Sequence, residues 1–160
     1  MATQTKKKPT FWENPGDYGI AIDVAASNTI TVGQVVTNSV GTLIESIEDP
    51  ANIAGIAETS GAGDSSESVH IKTVVKDTVL RINVYHATPG SAVTARSQLG
   101  SRFGGIVDPS DSDILMLDLA DTGNAVFLIV GFVADYDNNE AIGDIYGNVL
   151  VKVLNAFRVF

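Results

Sequence analysis

The sequence contains no cysteine and only two histidines. The lack of cysteine excludes disulfide bonds, thiol catalysis and thiolate ligation of a metal. His70 and His86 each lie in a predicted strand without a second histidine at ligand spacing, so neither a metal nor another cofactor is indicated. The nucleophile motif GxSxG is also missing. A Ser-His-Asp triad stays open because its members meet only in space, but we expect a protein without catalytic activity.

Positive charge and long apolar runs are also scarce. The chain has 10 Lys and Arg residues against 19 Asp and Glu, a net charge of −9, and such a surface repels phosphate backbones. The longest apolar run, residues 125–133, contains Gly131 and is far shorter than the roughly 20 residues of a membrane-spanning helix. The N-terminal residues lack the apolar core of a signal peptide. We therefore expect no nucleic-acid partner, no membrane and no secretion signal.

Short runs of Val, Ile and Thr bounded by turn residues dominate the rest of the chain, and such runs predict β-strands. They occupy residues 20–24, 29–37, 41–47, 53–58, 69–75, 78–86, 114–119, 125–133 and 149–160. Apolar and polar residues alternate most clearly in the run 78–86. Helical periodicity is weak and leaves at most one short helix, within residues 92–99. The sequence predicts an all-β fold, an antiparallel β-barrel or β-sandwich, as one domain over residues 15–160.

The polar segments between these runs are candidate sites. Residues 61–68 and 100–113 are rich in glycine and predict long loops, and neither matches a phosphate-binding motif. Asp111 and Asp113 lack the nearby aromatic residues of a glycosidase site, which favours a polar loop. The acidic segment 135–144 opens like a calcium loop, but Glu140 stands where an EF-hand needs glycine and Tyr146 where it needs glutamate. We favour a solvated turn, with bound calcium as the alternative.

The N-terminal segment 1–14 is polar and basic, which predicts a flexible arm outside the β domain. Its sequence KKKPTFWENPG places three lysines before two aromatic residues. Aromatic anchors beside cations suit docking on another protein. Stacking on nucleic acid and a disordered tail are the alternatives. Deleting residues 1–12 is accordingly expected to leave the domain folded.

Two stretches of the chain, GDYGIAIDVAASNTITVGQVV and GTLIESIEDPANIAGIAE, resemble the opening of small phage head proteins. The later stretches DTVLRINVYHATPGSAVTARSQLGSRFGGIV and GDIYGNVLVKVLNAFRVF are similar to decoration, or cement, proteins of β-barrel or β-tulip type on tailed-phage capsids. The resemblance covers most of residues 16–160. It implies a head-stabilising protein on the virion exterior, assembled in the host cytoplasm. It also implies the major capsid protein as partner and a homo-oligomer, commonly a trimer.

We therefore expect the arm and the long loops to contact the capsid. The candidate contact residues are Lys6, Lys7, Lys8, Phe11 and Trp12 of the arm with Arg102 and Phe103 of the loop 100–113. The alternative function is a virion-displayed adhesin or carbohydrate-binding β domain that uses the loop 100–113. A small β-fold hydrolase comes third, because the sequence nominates neither a nucleophile nor an acid–base pair for it.

Overall fold

The computed structural model describes residues 1–16, 19–45 and 47–156. This part of the chain forms thirteen strands and four 3₁₀ segments, and it confirms the predicted all-β fold class. The strands are β1 (Thr10–Glu13), β2 (Ile20–Asp23), β3 (Thr29–Ile30), β4 (Val35–Ser39), β5 (Thr42–Glu45), β6 (Gly55–Ala57), β7 (Gly61–Ala62), β8 (Ser68–Thr73), β9 (Val79–Tyr85), β10 (Arg102–Asp108), β11 (Asp111–Asp118), β12 (Phe127–Phe132) and β13 (Asn148–Val153). The 3₁₀ segments are Gly63–Ser65, Pro89–Ser91, Arg96–Gln98 and Val133–Asp135. No helix in the described ranges is long and apolar enough to cross a membrane.

Five strands from the second half of the chain form a closed ring, which we call the C-terminal barrel. Its order is β9, β11, β10, β12, β13, and pairing of β13 with β9 closes it. The β9–β11 pair is parallel, whereas the other strand pairs in the ring are antiparallel. β1 extends this sheet by pairing with residues 79–81 in the first half of β9. The end of β9, at Val84 and Tyr85, pairs with β11 instead.

Five strands from the first half form the N-terminal sheet, in the order β2, β8, β6, β4, β5. A parallel bridge between Val24 and Leu43 brings its two outer strands together. The two short strands β3 and β7 pair separately. Leu43 and Ile71 are fully buried in a hydrophobic cluster on this sheet. The alternation of apolar residues along β8 puts Val69 and Ile71 on this buried face, as the period of a half-buried strand requires.

A larger hydrophobic cluster fills the C-terminal barrel and joins it to the N-terminal sheet. Phe127 and Phe132 are its largest fully buried side chains. Val35 of β4 and Ile56 of β6 belong to the same cluster, although they lie on the other sheet. The two sheets therefore share part of one core, and burial of this shared surface holds them together.

The strands of the structure differ from the predicted positions at four places. The run 29–37 forms β3 and β4 as separate strands, because the chain turns at Gly33, whose φ is +81°. β1 lies in the predicted arm, β7 in the predicted loop 61–68 and β10 in the predicted loop 100–113. The only helical residues within 92–99 are the 3₁₀ segment Arg96–Gln98. Ser46 and residues 157–160 of the predicted runs lie outside the described residues.

The strand β10 was missed because glycines interrupt its apolar pattern. Gly104 and Gly105 are buried within it. A Cβ at Gly104 would lie 2.1 Å from the Asp121 carboxylate, and one at Gly105 would lie 3.2 Å from the Phe127 ring. Close packing across the strand therefore explains these glycines, which sequence patterns associate with loops.

The hairpin between β4 and β5 carries an unusual residue at its tip. Val40 has a φ of +52°, is followed by Gly41 at +88°, and is fully exposed. Two-residue hairpin turns with positive φ at both positions favour Asn-Gly, and β-branched residues are strained there. The substitution Val40→Asn is therefore expected to stabilise the protein by about 1 kcal/mol.

Thermal unfolding checks this expectation, with a rise of roughly 2–4 °C in melting temperature for a chain of this size. Val32→Asn is the matched control, because Val32 is also exposed but does not have a positive φ. An equal response of the two variants would show that the gain comes from replacing an exposed apolar side chain with a polar one and not from relief of backbone strain.

Candidate functional site

The N-terminal segment lies against the C-terminal barrel, in contrast to the flexible arm that the sequence predicts. Thr3 forms a parallel bridge with Ile145, and the backbone N–H of Gln4 donates to the Ile145 carbonyl at 2.8 Å. Further along, the backbone N–H of Lys7 donates to Oδ1 of the buried Asn83 at 2.9 Å. β1 then pairs with β9. Backbone hydrogen bonds thus attach the segment to the barrel over most of its length.

Two of the three lysines form ion pairs within the chain. Lys6 Nζ lies 2.9 Å from Asp108 Oδ1, and the Asp108 side chain is only 2% exposed. Lys8 Nζ lies 3.0 Å from Asp113 Oδ2 and also donates to Thr31 Oγ1 and the Val32 carbonyl. Lys8 therefore connects the segment to the turn after β3 as well as to β11. The side chain of Lys7 is exposed.

These contacts shift the acidity of both carboxyl groups. Burial opposes ionisation of Asp108, but hydrogen bonds from Lys6 and Ser110 outweigh it and lower its pKa. The pKa of Asp113 is lowered by the hydrogen bond from the Thr31 hydroxyl and then by Lys8. Both carboxyls are therefore ionised partners of the lysines, which fixes these lysines to the fold.

The acidic segment 135–144 uses its carboxylates inside the chain. Asp144 accepts hydrogen bonds from the backbone N–H of Ala2 at 2.8 Å and from the Gln4 amide at 2.7 Å, and the Ala2 contact is the main cause of its lowered pKa. Asp135 pairs with Arg96, whose hydrogen bonds lower the pKa of Asp135. Among the residues that the structure describes, no group of three or more His, Cys, Asp or Glu side chains is placed to hold a metal ion. The segment forms turns, but Glu140 and Asp144 are buried, so the prediction of a solvated turn is right only in part.

The aromatic residues of the segment have different environments. Phe11 is half-buried and packs against the barrel core, with Lys72 Nζ 4.8 Å from its ring centre. Trp12 is 38% exposed, and its ring lies 5.6 Å from that of Tyr136, which is 69% exposed. Trp12 and Tyr136 form an aromatic pair at the surface, beside the edge strand β1.

The two candidate contact residues on β10 also differ. Arg102 is exposed, as a contact residue must be. Phe103 is only 7% exposed and belongs to the barrel core, so its assignment as a contact residue is wrong. Because side chains alternate along a strand, Arg102 and Phe103 must face opposite sides of β10. The assumption that residues 100–113 form a loop concealed this alternation.

An open cleft of about 260 Å³ lies where the N-terminal segment crosses the barrel. Six of its lining residues carry polar groups: Lys6, Tyr85, His86, Asp108, Ser110 and Tyr146. Asp108 Oδ1 accepts from Lys6 at 2.9 Å and from the Ser110 hydroxyl at 2.9 Å. Lys6 Nζ also lies 4.8 Å from the centre of the Tyr146 ring, within cation–π distance. Sequence reasoning missed this cleft because its residues come from four distant parts of the chain.

The cleft does not provide an activated nucleophile. Ser110 Oγ lies 3.3 Å from Lys6 Nζ, and a Ser-Lys pair is one arrangement for acyl transfer. Here Lys6 Nζ donates to Asp108 Oδ1 and to Ser110 Oγ, so in this geometry it is not the acceptor of the serine proton. Ser110 donates to Asp108 instead. This arrangement positions groups but does not activate them.

A second pair of acidic residues lies at the junction of the two sheets. Asp49 has a φ of +52°, donates its backbone N–H to Gly105 and accepts from the Asn124 amide. Asp121 Oδ2 is buried without a hydrogen-bond donor, beside Asp49. Burial and the neighbouring Asp121 raise the pKa of Asp49, whereas that of Asp121 is lowered by the N–H groups of Gly123 and Asn124 despite burial. The two carboxyls thus lie close enough to influence each other's ionisation in opposite directions.

Comparisons of the chain with protein-family models, with curated proteins and with solved structures gave no match.

Proposed function

We propose that the protein is a non-enzymatic decoration protein that binds the outside of an expanded phage capsid and stabilises contacts between major capsid protein subunits. The sequence resemblance and the all-β fold class are compatible with this role. We further propose a homo-oligomer, with a trimer favoured, because a rigid β module that bridges several capsid subunits gains strength through effective concentration.

The exposed aromatic pair of Trp12 and Tyr136 is the observation that carries the proposal. Trp and Tyr are the residues that most often anchor protein interfaces. Trp12 is the only tryptophan of the chain, and it is partly exposed on an edge strand instead of buried in either core. Lys7 and Arg102 are exposed cations that remain candidates for contacts with an acidic capsid surface.

The substitution Trp12→Ala is expected to weaken capsid binding by roughly 30-fold, the effect of losing an interface anchor worth about 2 kcal/mol. The melting temperature should change little, because Trp12 lies outside the core clusters. Co-sedimentation with expanded heads of the phage that encodes the protein measures the affinity.

Leu99→Ala is the matched control, because Leu99 is also a large exposed apolar residue at 56% exposure. It should bind heads as the native protein does. Failure of the native protein to sediment with expanded heads would overturn the decoration function. Native affinity in Trp12→Ala would instead show that the aromatic pair is not the anchor.

A further inference from the structure

The cleft beside Lys6 has features of a binding site that capsid attachment does not require. Its lining combines two tyrosines and a histidine with the Lys6–Asp108 pair and Ser110. Aromatic rings together with a few fixed polar groups are the usual composition of a small-molecule site. The Trp12–Tyr136 pair, which carries the proposed function, is not part of this lining.

The charges in the cleft balance each other. Lys6 and Asp108 form an ion pair at 2.9 Å, and Asp108 also accepts from the backbone N–H and the hydroxyl of Ser110. No other carboxylate, lysine or arginine lines the described cleft. A charged ligand would therefore find no unpaired opposite charge, which favours a neutral ligand.

The remaining polar groups suit a ligand with many hydroxyls. His86 Nδ1 accepts from the backbone N–H of Thr88 at 3.0 Å, so in the neutral imidazole the proton lies on Nε2 and makes it a donor. Tyr85 and Tyr146 each bring a hydroxyl, which can both donate and accept, whereas the Ser110 hydroxyl already donates to Asp108 and can only accept from a ligand. A ligand rich in hydroxyls can use donors and acceptors of this kind together.

Tyr146 is held in a strained conformation at this place. Its φ is +54°, a value that non-glycine residues seldom adopt. Its N–H donates to the Ala92 carbonyl at 2.7 Å, and its own carbonyl accepts from the buried amide of Asn83. These two bonds fix the backbone of Tyr146 and place its ring under Lys6. Strain of this kind concentrates at binding sites, where it presets a side chain for a ligand.

From the neutral ion pair, the hydroxyl-bearing rings and the strained Tyr146, we propose that this cleft binds one neutral saccharide unit. The volume of about 260 Å³ is below the roughly 300–1,000 Å³ of sites for drug-sized molecules and suits a single sugar ring. The protein would then bind a glycan through this cleft in addition to its proposed attachment to the capsid.

A glycan array that carries neutral and acidic sugars tests the proposal with the full-length protein. Calorimetry with the methyl glycoside of the best-binding sugar then gives its affinity. We expect a neutral sugar, with an affinity that changes less than twofold between 50 and 500 mM salt, because neutral ligands are not screened. His86→Ala and Tyr146→Phe should each weaken binding at least tenfold. Tyr146→Phe keeps the ring and its contact with Lys6, so it separates loss of a ligand contact from loss of fold.

Tyr136→Phe and Trp12→Ala are the matched controls, because both residues are exposed aromatics outside the cleft. They should bind the sugar as the native protein does. The proposal is overturned if no sugar binds, if only acidic sugars bind, or if affinity survives both cleft substitutions. Loss of sugar binding in the controls would also overturn it, since the aromatic pair would then be the sugar site. None of these results depends on whether the protein attaches to capsids.

Discussion

Replacing Lys6 with methionine is expected to lower the free energy of unfolding by about 3 kcal/mol, the lower end of the cost of leaving a buried charge unpaired. The Asp108 carboxylate is almost fully buried, and Lys6 is its only cationic partner among the described residues. Methionine keeps the length of the lysine side chain, so the loss comes from the charge and the hydrogen bonds. A melting temperature lower by roughly 6–12 °C should accompany it.

Lys7→Met is the matched control, because Lys7 neighbours Lys6 in sequence but has an exposed side chain. Its melting temperature should stay within about 1 °C of the native value, as is usual for surface substitutions. Deletion of residues 1–8 should cost more than Lys6→Met, because it also removes the contacts of Lys8 with Asp113 and of Ala2 and Gln4 with Asp144. Chemical denaturation of the three variants measures their free energies of unfolding and so checks this order of stability.

This expectation reverses the one drawn from the sequence, which regards the first twelve residues as dispensable for folding. The composition of the segment, basic and polar, is that of a disordered tail. Its partners lie far away along the chain: Lys6 and Asp108 are 102 positions apart, and Ala2 and Asp144 are 142 apart. A single sequence does not record such pairings. Unchanged stability of the deletion variant would restore the original view of the segment as an arm.

The fold class, in contrast, could be predicted because it depends on local patterns. Alternation in β9 and the Val- and Ile-rich runs of β12 and β13 are visible without any knowledge of partners. The prediction leaves a barrel and a sandwich open and does not assign strands to sheets, since both halves of the chain show the same kind of strand. Closure of the barrel depends on β9 pairing with both β11 and β13, which only the tertiary structure fixes.

The candidate site could be predicted only in part, for the same reason. Trp12 is partly exposed, as a contact residue must be. Phe103 is buried because residues 102–108 form the strand β10, whose side chains alternate, and Phe103 faces the barrel core. The cleft brings together Lys6, His86, Asp108 and Tyr146 from separate segments. The positive φ of Tyr146 has no local signal either, because tyrosine seldom adopts this conformation.

The substitution Glu140→Ala is expected to destabilise the protein by about 3–4 kcal/mol, because the buried Glu140 satisfies the buried Asn148 on β13 and pairs with the partly exposed Arg81 on β9. Its side chain is 4% exposed and accepts from Arg81 at 2.6 Å. Glu140 also accepts from the backbone N–H of Asn148 at 3.0 Å and from the Asn148 amide at 2.8 Å. Removal of this carboxylate leaves both Asn148 donors without an acceptor at the start of β13. It also leaves the Arg81 guanidinium, on β9, without its carboxylate partner.

Asp137→Ala provides a control from the same acidic segment, because the Asp137 carboxylate accepts only from the nearby Asn139 among the described hydrogen bonds. It should change stability much less than Glu140→Ala. The stability loss of Glu140→Gln should lie between those of Asp137→Ala and Glu140→Ala, since the amide oxygen of glutamine still accepts one hydrogen bond. Melting measurements with added calcium and with a chelator test whether the acidic segment 135–144 binds calcium. If Glu140 acts by joining β9 to β13, neither addition changes the melting temperature of the native protein. A rise with calcium that is lost in Glu140→Ala would instead show that the segment binds a metal ion.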